Sequence, residues 1–141
     1  MTDTDRPRDW ASAEAPSLDD IEVIGRDAFD GLPEEFRKLT GAMQIRVADF
    51  PEDDVLDDLG IESEFGLLGL FQGIGLAHAA SVPHTGQMPN MIWLYRRPIL
   101  DYWAEHEETL GGIVTHVLIH EIGHHFGLSD ADMEAIEAAA G

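Results

Sequence analysis

HEIGHHFGLSD, residues 120–130, places three of the chain's seven histidines within six consecutive positions. The residues before it, TLGGIVTHVLI (109–119), are apolar and carry no charge, so one helix is expected from about Thr109 to Phe126. Each helical residue advances about 100° around the axis. With His120 at zero, His124 falls at about 40° and Glu121 at about 100°, so all three project from one side. Two imidazoles one turn apart can reach a single cation, and a carboxylate beside them can reach a water on it. The competing reading is an ordinary buried helix interrupted by polar side chains.

Two quieter residues separate these readings. Gly127, at the expected end of the helix, can take the left-handed conformation that terminates helices. Asp130, three residues on, can then turn back as a third ligand. The set His120, His124 and Asp130 would hold one zinc ion per chain and leave a fourth position for water, as catalytic zinc requires. With no cysteine in the chain, any zinc site must use nitrogen and oxygen donors. His116 lies at about −40° on the same face. Because the fourth position must stay open, His116 reads as a supporting or packed residue and not as a ligand. His125 points about 40° beyond Glu121, toward the surface, and His106 ends an acidic helix as a solvated side chain.

Outward from this helix the chain reads as one domain. Residues 1–16 read as a disordered or loosely attached acidic tail, and residues 17–141 as the domain itself. Ser17 is a helix cap for a helix over about 18–30, and Pro33 opens a short second helix through Leu39. MQIRVADF (43–50) alternates as a half-buried strand does, and EDDVLDDLGI (52–61) is a short helical turn closed by Gly60. From Phe65 to Tyr95 there is no charged residue. The sheet is expected there, with strands in GLLGLFQGIGL (66–76) and NMIWLY (90–95) and a loop over 77–90 between them. Pro98 opens a helix through His106, and DADMEAIEAAA (130–140) forms the last one. The expected fold is α+β: a small twisted mixed sheet packed against helices. LGLFQG is preferred over MIWLY as the exposed edge strand, since its glycines let another backbone approach closely.

Composition narrows the partners. Twenty-eight acidic and eight basic residues give a formal charge of −20. Such a surface repels phosphate backbones and anionic lipid, so neither nucleic acid nor membrane is expected. The N-terminus lacks the apolar core of a signal peptide, and the uncharged run 65–82 is broken by glycines and polar residues. A cytoplasmic location is expected.

HEIGHHFGLSD fits the pattern His-Glu-x-x-His-x-x-Gly-x-x-Asp, with His120, Glu121, His124, Gly127 and Asp130 on its fixed positions. The chain resembles the minimal zincin-like metallopeptidases of bacteria, in the signature variant where Asp replaces the third His of the metzincins. LYRRPIL (94–100) and HHFGLSDADM (124–133) extend that likeness. The resemblance implies a zinc-dependent peptidase acting on a peptide or protein laid along an edge strand. Glu121 would be the general base that takes a proton from water and returns it to the departing amine. Met133 belongs to the last helix, so no Met-turn is expected. The oxyanion donor stays open among His125, Tyr95, Tyr102, His78 and His84. Trp93, Tyr95, Tyr102 and Trp103 read as core, and Arg96 and Arg97 as partners of the protein's own acids. The alternative is a zinc-stabilised module that binds peptides without cutting them, for which Glu121 would be unnecessary.

Overall fold

The computed structural model describes residues 9–73 and 90–140. The 77–90 loop, His78 and His84 therefore lie outside the described residues, apart from Asn90, as does the first half of the tail.

Local signals set the first helix. α1 (Leu18–Asp30) begins at Ser17, whose hydroxyl accepts from the Asp20 backbone N–H while the Asp20 carboxylate accepts from Ser17 N–H. This reciprocal box satisfies two donors that a helix start leaves unpaired. α2 (Glu34–Arg37) follows Pro33 and is a single turn, shorter than the reading through Leu39. β1 (Met43–Ala48) and α3 (Asp53–Leu59), which ends at Gly60, fall where their patterns predicted.

The second strand is the larger departure. Glu64–Gly66 is a turn of 3-10 helix and β2 covers Gly69–Gln72, while residues 74–76 of the expected stretch lie outside the described residues. β3 spans Asn90–Tyr95. The sheet order is β1-β3-β2, with β1 parallel and β2 antiparallel to β3. The sheet is thus mixed, as expected. β3 is paired on both sides, so MIWLY is not an edge; among the described residues β2, carrying GLFQ, is one.

α4 (Arg96–Glu105) starts two residues before the predicted opening at Pro98. Proline in the third helical position costs nothing there, because the first turn's N–H groups have no intrahelical acceptors. Arg96 and Arg97 are consequently helical. Arg96 bonds the Asp49 carboxylate at 3.0 Å and the Pro16 carbonyl at 2.5 Å, and Arg97 lies over the Phe50 ring.

α5 (Leu110–His125) is capped by the Thr109 hydroxyl, which accepts from Gly112 N–H. α6 (Asp130–Ala140) follows a turn at Gly127, whose φ of 75° is one that side chains with a Cβ rarely adopt. α5 packs against α1, α6, β2 and α4. Its buried Val114, Leu118 and Ile122 join Ile21 and Phe29 of α1 and Ile45, Ile92 and Leu94 of the sheet in one core. A helix covered on so many sides must be apolar over most of its circumference. Its polar stripe is the exception that makes the site. The architecture is α+β: among the described residues, a three-stranded mixed sheet with six α-helices. Among the described residues, no helix is long and apolar enough to cross a membrane.

Candidate metal centre

His116, His120, Glu121 and His124 follow one another down the uncovered side of α5. They share a groove of about 370 Å³ with Ile113, Val117, Tyr102 and residues 66–69. The far wall is therefore the approach to β2 and its first residue. The close fit of strand and helix depends on Gly69. A Cβ there would lie 2.6 Å from Val117 Cγ1 and 3.7 Å from Glu121 Cγ.

The imidazoles of His120 and His124 are neighbours, with ring centroids 5.8 Å apart and planes nearly perpendicular. His120 is also stacked on His116 at 4.0 Å. Burial, followed by the proximity of His116, keeps the pKa of His120 below the usual imidazole range. The neutral imidazole, which is the metal-binding form, is thus favoured. Burial raises the Glu121 carboxyl above its ordinary value, and the neighbouring His124 partly offsets this.

Asp130 is the first residue of α6 and is exposed. Among the described residues, no hydrogen bond or ion pair joins it to either histidine. The group of three potential ligands that does come together is His116, His120 and Glu137, with one donor atom from each lying within 4.8 Å of the others. Glu137 accepts from His116 Nδ1 at 2.9 Å and lies 3.5 Å from His120 Nε2. No sequence reading picked out Glu137. It lies 17 residues beyond His120 on a different helix, and only its spacing of one turn from Met133 hints at the face it occupies.

The structure also sorts the candidate oxyanion donors. Tyr102 lines the groove, stacked on His106. Tyr95 is buried and lines a separate depression with Phe50, Glu52, Gln72 and Trp93. His125 packs on Phe71 and Phe126. Trp93 donates to the Gln72 side chain, and Tyr102 and Trp103 lean on the core. Met133 is fully buried within α6 beneath Gly123 of α5, so it forms no Met-turn.

The comparison with curated proteins returned no match. The family model described as zincin-like metallopeptidase matches residues 40–140, a span that holds the whole sheet, the groove and every residue of the HExxHxxGxxD pattern. With that match over most of its length, the chain belongs to the zincin-like metallopeptidase family.

Proposed function

We propose that this chain is a zinc-dependent peptidase that hydrolyses peptide bonds, with His120, His124 and Asp130 holding one zinc ion and Glu121 acting as general base. One observation carries the proposal: two adjacent imidazoles and a half-buried carboxylate open into a groove whose other wall leads to a sheet edge. Imidazole nitrogen with carboxylate oxygen is a donor set that suits zinc. Zinc bound there would polarise the scissile carbonyl and lower the pKa of a water toward about 7.

The chain's own residues supply the rest. β2 stands at the end of the sheet order and offers backbone N–H and C=O groups with which an extended peptide can pair. Gly69 keeps that edge close to the helix, so a peptide on it lies across Glu121. Glu121, made more basic by its burial, takes the proton of the attacking water and passes it to the departing amine. Tyr102, which lines the groove, would donate to the developing oxyanion. The formal charge of −20 disfavours nucleic acid as a partner.

Metal analysis of the purified protein, paired with cleavage of a diverse peptide library by wild type and Glu121→Ala, tests the proposal. About one zinc per chain with cuts that depend on Glu121 is the expected result. Bound zinc with no cleavage of any peptide would establish the binding module instead.

A further inference from the structure

More ligand chemistry gathers around His120 than the HExxH pair uses. His116 and Glu137 have no part in the proposed reaction, yet they converge on His120 from one side while His124 lies on the other. We propose that His116, His120 and Glu137 form a second zinc-type cation site one helical turn upstream, and that the two sites compete for His120. This rests on the reading of His120 and His124 as the catalytic pair.

Three observations carry the proposal. The first is distance: zinc bonds of about 2.0–2.2 Å in tetrahedral geometry put neighbouring donors roughly 3.4 Å apart. Glu137 Oε1 lies 2.9 Å from His116 Nδ1 and 3.5 Å from His120 Nε2, and all three donors lie within 4.8 Å of one another, so side-chain rotations can bring them to that spacing.

The second is support. His116 and His120 stand on successive turns of α5, and Glu137 stands one turn beyond Met133, the fully buried residue that seats α6 on Gly123. Three donors on two rigid, tightly packed helices are held more firmly than donors on loops.

The third is access. The side chains of His116 and Glu137 are 54% and 39% exposed, so a hydrated ion can reach them and a fourth position faces solvent. The set combines two imidazoles with one carboxylate, a common three-ligand zinc complement.

His120 is the shared element. While its Nε2 is turned to Glu137, it is withdrawn from a cation held by His124 and Asp130. A cation at the upstream site therefore leaves the catalytic set one ligand short. The chain should take up one zinc, not two, divided between an active and an inactive position. Were Glu137 only an orienting partner for His120, it would bind no metal once His124 was gone.

Zinc binding by equilibrium dialysis separates the possibilities, with circular dichroism verifying the fold of each full-length variant. His124→Ala/Asp130→Ala removes the catalytic set and should still bind one zinc, within about tenfold of wild-type affinity. Adding His116→Ala and Glu137→Gln to that variant should weaken binding by about a hundredfold or more, since loss of even an outer partner can cost that much. His116→Ala/Glu137→Gln alone should bind one zinc through the HExxH set. Loss of zinc from His124→Ala/Asp130→Ala, with retention by His116→Ala/Glu137→Gln, overturns the upstream site and leaves the catalytic reading standing. The reverse pattern overturns the catalytic ligand set instead. Uptake of two zinc ions by the wild type overturns the competition.

Discussion

Gly69 of the edge strand and Val117 of the motif helix meet without room for one more carbon: a Cβ on Gly69 would lie 2.6 Å from Val117 Cγ1 and 3.0 Å from the Trp93 carbonyl. Neither neighbour can yield cheaply, since valine is stiff at χ1 and the carbonyl is backbone. Gly69→Ala should therefore cost about 1–3 kcal/mol of stability through overpacking. It should also push β2 away from Glu121, lowering kcat/KM while zinc content stays unchanged. Urea unfolding and metal analysis of the same sample check both, and wild-type stability would refute the close fit.

Glu121→Gln should remove the general base and reduce turnover by roughly 10²–10⁴-fold. The same substitution should stabilise the metal-free chain at neutral pH. Burial raises the folded-state pKa of Glu121, so the folded chain favours the neutral carboxyl. Below the unfolded pKa both states are protonated, and the substitution changes little. As pH rises through the folded pKa, ionisation costs wild-type stability that glutamine never loses. Thermal melts at about pH 4 and about pH 7 should thus show a gap that opens only at the higher pH.

Ser129 accepts from Asp132 N–H at 3.1 Å, and its own N–H donates to the Asp132 carboxylate at 3.3 Å. This box starts α6, the helix that bears Asp130 and Glu137. Ser129→Ala should cost about 1 kcal/mol, read by urea unfolding, and weaken zinc binding through fraying at Asp130. Ser129→Asp, another good cap, should restore both.

Met133 is fully buried, and its Sδ would stand 2.5 Å from a Cβ placed on Gly123. Met133→Ala should cost about 2–5 kcal/mol by opening a cavity under the motif helix. Met133→Leu, nearly equal in volume, should cost less than about 1.5 kcal/mol. Denaturant midpoints of the two variants check the ordering.

By itself the sequence determined what depends on neighbours a few residues apart. The Ser17 cap, the stops at Gly60 and Gly127, the alternation of 43–48 and the shared face of His120, Glu121 and His124 are matters of local dihedral preference and helical period. The acidic composition, the absence of cysteine and the HExxHxxGxxD spacing were equally legible. Other properties were settled only when distant segments packed. The sheet order decided that GLFQ is an edge and NMIWLY the centre, because strand order is set by pairings across the chain. The alternation of the sheet's faces sent Tyr95 to the depression with Glu52, while α4 carried Tyr102 to the groove. The docking of α6 on α5 brought Glu137 against His116 and His120. A side chain on another helix enters a site through the angle and depth of helix packing, which the core side chains fix together and no local pattern encodes.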